Sequence, residues 1–281
     1  MYIRSAESGD MANDTTSIIW HFLCNIVLRR AIISQMSSPQ GDDETTAMRQ
    51  KRANYKCEAT TLDGFIQQLA VAYIARRYFF YVTGDVPKRL TSEEHDRRLL
   101  EKFEVAQSKW SRYRRRKRNG SDGRPLANVQ YIRYRSFWVL LATGGSHRFF
   151  EEHGTPEDNP TGNAQFRDVR QAPICYGGYS IGWRERTSVR LSATAYRDLK
   201  SYFLRLATSS PGTKLLEQEF WRFPFEPYGG VIRQVLSIHR TVNRARKTAG
   251  LREVPRECLR LKRRVVRPFE PVDVAALPLA A

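Results

Sequence analysis

Carboxylates, cysteines and long apolar runs are all in short supply in this chain, and each shortage removes a class of protein from consideration. The 281 residues hold 29 Asp and Glu against 47 Lys and Arg, a formal net charge of +18. Such a surface attracts polyanions. The cysteines, Cys24, Cys57, Cys175 and Cys258, stand far apart. With no CxxC pair there is neither the spacing of a zinc or redox site nor a disulfide framework, and a reducing cytoplasmic setting is expected. The one apolar stretch near the start, residues 18–28, is broken by His21 and Asn25 and is too short to span a bilayer. Glu7, Asp10 and Asp14 precede it and Arg29 and Arg30 follow it, the reverse of a secretory leader. Neither export nor a membrane partner is expected.

Methionine is confined to positions 1, 11, 36 and 48. Residues 1–54 also differ from the rest in charge: Arg4, Arg29, Arg30, Arg49, Lys51 and Arg52 are matched by Glu7, Asp10, Asp14, Asp42, Asp43 and Glu44. The whole positive excess therefore belongs to residues 55–281. The run 37–44, rich in Ser, Gly and Asp, reads as linker. Residues 1–54 are expected to lie outside the fold, as a disordered extension or as sequence preceding a true start at Met36 or Met48. Codon usage is the competing explanation for so much arginine, but it predicts no particular placement.

The body reads as α+β, with a mainly antiparallel sheet and flanking helices. Thr60 or Thr61 caps a first helix whose apolar positions Phe65, Ile66, Leu69, Ala70, Tyr73 and Ile74 recur at helical period. Residues 78–83 form a strand, Thr91 or Ser92 starts a second helix, and residues 105–118 a third. Residues 129–131 and 137–142 flank a turn at Arg135 and Ser136. Residues 147–171 form a long polar loop with at most one short helix. A second hairpin turns at residues 184–187. Helices follow at 195–207, 215–221 and 231–249, the last stopped by Gly250, and residues 258–266 return as a final strand. The expected organisation is one basic domain over 55–270, divisible near residue 192, and a flexible tail at 271–281.

Three basic stretches carry the nucleic-acid reading. The densest is the third helix, where Lys109, Arg112, Arg114, Arg115, Arg116, Lys117 and Arg118 surround Trp110 and Tyr113. Cations on successive turns reach phosphates, while two rings three residues apart share a face that either stacks on bases or joins the core. Helix 231–249 offers Arg233, Arg240, Arg244 and Lys247 on one stripe, with Asn243 placed to read adenine if the helix enters a groove. In the final strand, alternation sets Arg260, Lys262 and Arg264 on one face as a basic ridge.

Two catalytic constellations compete. His147, Glu151 and Glu152, with His153, Asp158 and Asp168 following, supply donors suited to Mg²⁺ or Mn²⁺ and phosphodiester cleavage. Tyr196, one helical turn from Lys200, is a candidate nucleophile, although the chain has no HxH pair to accompany it. Gly177, Gly178 and Gly182 sit among strand-like residues and match neither a Walker loop nor a dinucleotide fingerprint. The leading expectation is a nucleic-acid-binding protein, for DNA or RNA, acting mainly through phosphate contacts. The alternatives are a metal-dependent nuclease or transposase-like enzyme of a mobile element, and a non-enzymatic ribonucleoprotein subunit.

Overall fold

The computed structural model describes residues 55–105, 108–120, 122–154 and 166–270. The chain divides into two units, Met1–Lys51 and Arg52–Ala281, and every described residue belongs to the second. Segment 1–54 with Cys24, tail 271–281 and Asp158 all lie outside the described residues.

The architecture is α+β, built on two antiparallel sheets. The Thr61 hydroxyl accepts the Gly64 N–H and caps α1 (Leu62–Gln67), which continues as a π-helical stretch, Gln68–Tyr73, and a 3-10 turn, Ile74–Arg76. This long helical segment buries Phe65, Ile66, Leu69, Tyr73 and Ile74, the apolar positions that its period marks. The first sheet has the order β2-β3-β1-β4, made of β1 (Phe80–Asp85), β2 (Val129–Tyr134), β3 (Phe137–Ala142) and the two-residue β4 (Arg167–Asp168). Arg135 takes the left-handed φ of 57° in the β2–β3 turn, where the turn was expected. Side chains alternate across this sheet. Ile132, Tyr134, Val139 and Leu141 join the main core around α1, whereas Tyr131, Leu140 and Ala142 join a second cluster on the opposite face. Burial on both faces is why β3 reads as an unbroken apolar run.

The second cluster is closed by α2 (Ser92–Lys102), capped by the Thr91 hydroxyl, and by the short α4 (Arg148–Glu152). Between them comes α3 (Lys109–Lys117). The second sheet is a meander of β5 (Ile174–Tyr176), β6 (Tyr179–Arg184) and β7 (Arg186–Leu191). Gly177 and Gly178, both at positive φ, make its two-residue first turn. Helices α5 (Ala193–Ala207), α6 (Lys214–Trp221) and α7 (Gly229–Thr248) complete the body. Gly230 lets α7 press on β7: a Cβ there would stand 2.3 Å from the Val189 carbonyl oxygen. One buried cluster runs from Ala59 to Leu259, so residues before and after 192 share a core. Among the described residues no helix is long and apolar enough to cross a membrane.

The C-terminal stretch departs from expectation. Residues 259–267 form no strand. They lie as a strap whose backbone is satisfied by remote side chains: Gln67 Nε2 donates to the Val266 carbonyl at 2.6 Å, and the Arg264 N–H donates to Glu226 at 3.0 Å. Side-chain amides replace strand neighbours elsewhere too. Gln234 pairs with both the N–H and the carbonyl of Leu191 on β7, and Asn243 does the same for Val254.

Arg246 closes the far end of α7. It is fully buried, and its guanidinium donates to five backbone carbonyls, those of Ala207, Ser210, Pro211, Gly212 and Arg252, at 2.6 to 3.3 Å. No carboxylate is needed, because five oriented carbonyl dipoles take up the charge. Lysine keeps the charge but places all its donors on one nitrogen. An Arg246→Lys variant should therefore lose about 3 kcal/mol of unfolding free energy in a urea titration with unchanged slope; a loss below about 0.5 kcal/mol would show that the clamp is dispensable.

Candidate nucleic-acid interface

The chain before α3 is anchored through α2. Asp96 of α2 is buried and accepts Arg133 Nε at 2.9 and 3.0 Å and the Tyr131 hydroxyl at 2.6 Å. Arg133 also reaches Glu58 at 3.0 Å and the Arg135 carbonyl at 2.7 Å. Burial opposes the guanidinium charge, but hydrogen bonds to Asp96 and Glu58 overcome it and raise the Arg133 pKa. The same pocket takes in Cys57, whose thiol burial and Asp96 push up to about 12, so it stays protonated and inert at neutral pH. Leu99, Leu100 and Phe103 then fasten the end of α2 to the sheet. Glu104 takes a φ of 47° as the chain turns away.

Ser108 caps α3 by accepting the Ser111 N–H at 3.1 Å. The helix buries none of its residues. It is held from beneath by Asn128, whose Nδ2 donates to the Arg112 carbonyl at 3.1 Å, and by an ion pair of Arg115 with Glu104 at 2.7 Å. Arg115 is thus committed to the fold, while Arg112 is half-buried against it. Lys109, Arg114, Arg116, Lys117 and Arg118 remain exposed.

Trp110 and Tyr113 do not join the core. They are 59% and 54% exposed and meet edge to face at 6.2 Å. The Arg114 guanidinium lies 3.8 Å from the Trp110 ring centre and Lys117 Nζ 4.8 Å from that of Tyr113. Positions 110, 113, 114 and 117 follow helical spacing, so two rings and two cations share one solvent-facing stripe. Residues 114–117 put four cations in the last turn, where the helix dipole favours them. Like-charged pairs along α3, such as Arg112 with Arg116 at i,i+4 and Arg114 with Lys117 at i,i+3, still oppose folding by about 0.2–0.5 kcal/mol per pair. A bound polyanion removes that penalty.

The other expected sites fare differently. On α7, Arg233, Arg240, Arg244 and Lys247 are exposed, whereas the Asn243 amide is turned to the Val254 backbone, bonding its N–H and its carbonyl. The basic ridge of the C-terminal strap does not form, because without a strand there is no alternation. Arg260 turns inward to Glu226 at 3.1 Å and the Phe225 carbonyl at 3.2 Å; Lys262 and Arg264 are exposed. Tyr196 is partly buried against the core and donates to Ser237 at 3.2 Å. Arg184, Arg186 and Arg190, which escaped the motif reading, gather beside Arg233 around a cavity. Their even spacing along the hairpin was the available signal.

The carboxylate and histidine set is taken up locally. Among the described residues no three His, Cys, Asp or Glu side chains are placed to hold a metal ion. Glu152 pairs with Lys102 and with Arg148; against partial burial, those hydrogen bonds keep its carboxyl below the usual range. Asp168 is bound by Arg170, and Glu151 is exposed. His147 is the cap of α4: its Nδ1 accepts the Phe149 N–H at 3.0 Å. Burial first, and then the charge of Arg115, hold its pKa down at about 4.

Comparison with protein-family models, curated proteins and solved structures finds no match, so the reading rests on this geometry alone.

The cap makes a pH-dependent contribution. The unfolded imidazole takes a proton near pH 6.5 and the folded one only near 4. The unfolded state therefore binds more protons between those values. The His147 contribution should be complete above about pH 6.5 and fall as the pH drops toward 4. A His147→Asn variant, which keeps an N-cap acceptor, should show a shallower decline of Tm over that window; parallel declines would contradict the assignment.

Proposed function

We propose that this chain binds single-stranded nucleic acid through α3, stacking bases on Trp110 and Tyr113 while Arg114, Lys117 and the neighbouring exposed cations hold phosphates. The observation that carries the reading is the stripe itself. Two large rings at the surface forgo the burial that would otherwise stabilise the fold, and each already lies against a cation. Stacking needs an open ring face and an unstacked base, and phosphate contact needs cations without internal carboxylate partners. Single strands supply exposed bases and phosphates at alternating positions along the chain, which suits such a surface without sequence readout.

Within this reading the rings and the cations have separable roles. Removing a ring takes away a stacking platform worth about 1–3 kcal/mol per base. Removing a cation takes away counterion release, about 0.7 in the logarithmic salt slope per phosphate contact on single strands. Trp110, Tyr113, Arg114 and Lys117 are exposed on α3, so variants at these positions separate binding from folding.

Binding of a fluorescently labelled 20-nucleotide strand, followed by anisotropy, checks the first role. Trp110→Ala should weaken it on the order of tenfold with Tm unchanged. Trp221→Ala, which removes another exposed indole, should leave it intact. Equal effects of the two would overturn the stacking role.

The second role is checked by salt titration. An Arg114→Gln, Lys117→Gln double variant should flatten the slope of log K against log salt by about 1.4. An unaltered slope would place the phosphate contacts elsewhere.

A further inference from the structure

Outside α3, four arginines line an open cavity of about 790 Å³, within the size range of small-molecule sites. Arg184, Arg186 and Arg190 reach it from the β6–β7 hairpin and Arg233 from the first turns of α7. None of the four makes an ion pair with a described residue. Burial lowers the Arg190 pKa, and the charges of Arg184 and Arg233 lower it further. Glu185 is the carboxylate on this rim.

Two further features face the same space. The amide end of α7 opens into it at Gly229 and Gly230. Tyr228 supplies no side-chain cap, and the first turn of this 20-residue helix carries no acid, so no side chain of its own covers the N–H groups at its start. Packing on Val189 explains Gly230. It does not explain Gly229, whose Cβ would meet nothing within 4 Å and whose φ is not positive. Thr187, which also lines the cavity, has a buried hydroxyl oxygen with no hydrogen-bond partner. Opposite the charges, Ala70, Val71 and Ala75 of the long helical segment form an apolar wall, with Val71 52% exposed.

We infer that this cavity is a binding site for a pyrophosphate-bearing ligand, its phosphates held by Arg184, Arg190, Arg233 and the Gly229 and Gly230 amides and its organic part against Ala70 and Val71. Four cations ask for more than one phosphate charge. The apolar wall suits a ligand with a non-ionic body, of which a nucleoside diphosphate is the simplest. A phosphorylated strand end offers related chemistry, and the test separates the two. The site stands apart from α3 in sequence and in the residues it uses, so it does not rest on the stacking reading.

The test is calorimetric titration of the full chain at low salt with inorganic pyrophosphate, ADP and adenosine, and with one 12-nucleotide strand carrying either a 5′-phosphate or a 5′-hydroxyl. Pyrophosphate and ADP should bind and adenosine should not. An Arg190→Ala, Arg233→Ala double variant should weaken ADP at least tenfold. So should Gly229→Val, which obstructs the amide end at a position with room for the side chain, leaving Tm within a degree or two of the parent. Trp110→Ala should leave ADP affinity unchanged, which keeps this result independent of strand binding through α3. A gain from the 5′-phosphate that disappears in the arginine variant identifies a strand end as ligand; ADP binding without that gain identifies the free nucleotide. No binding of pyrophosphate, ADP or the 5′-phosphate, or ADP binding that survives both the arginine and the glycine variants, overturns the site.

Discussion

Asp96 and Arg133 form the ion pair on which the rest of the α2–α3 arm depends. Both are buried, and Arg133 Nε–H is shared between the two Asp96 carboxylate oxygens, joining a helix residue to a strand residue 37 positions on. The pair also gathers the Tyr131 hydroxyl, Glu58 and Cys57. Residues 55–59 lie beside β2 through the Cys57 and Ala59 backbone bonds to Arg133. One side chain thus ties the start of the described body, the edge of the first sheet and α2 together. Breaking one side of a buried pair costs about 3–5 kcal/mol, since the partner is left charged and unpaired. With α2 anchored, Phe103 and Val105 seat its end on the second core cluster, and α3 leaves the body from a fixed point.

Arginine does two opposite jobs in this chain, and net charge does not distinguish them. Arg133, Arg246 and Arg260 are internal struts that donate to carboxylates and carbonyls. Arg114, Arg116 and Lys117 on α3 are exposed, as are Arg240, Arg244 and Lys247 on α7. The struts permit long connections to be held without strands, because a planar guanidinium satisfies several carbonyls at once. The exposed group gives the molecule its field. A count of +18 mixes the two, and only burial sorts them.

Much of the fold is legible locally. Thr61 and Thr91 cap the helices that their hydroxyls announce, Arg135 and Ser136 make the expected turn, and Gly250 at φ 69° ends α7. Each depends on neighbours within a turn of helix or a hairpin. The C-terminal element that was misread depends on distant partners. Residues 258–266 look like a strand, but the groups that hold them are Gln67 and Glu226, far away in sequence. Asn243 is likewise held by the Val254 backbone, whereas His147 is engaged locally, by the N–H of Phe149. The candidate interface was legible as a basic aromatic helix. That its rings face solvent was not, because the spacing 110, 113 fits a core face equally well.

A strand bound as proposed would lie along α3 with its bases on Trp110 and Tyr113. Photocrosslinking of a 5-bromouracil-substituted single strand, followed by mass spectrometric identification of the modified peptides, reads that contact directly. Adducts are expected on Trp110 or Tyr113, within residues 109–118. Efficient crosslinking that maps to other segments and leaves both rings unmodified would contradict it.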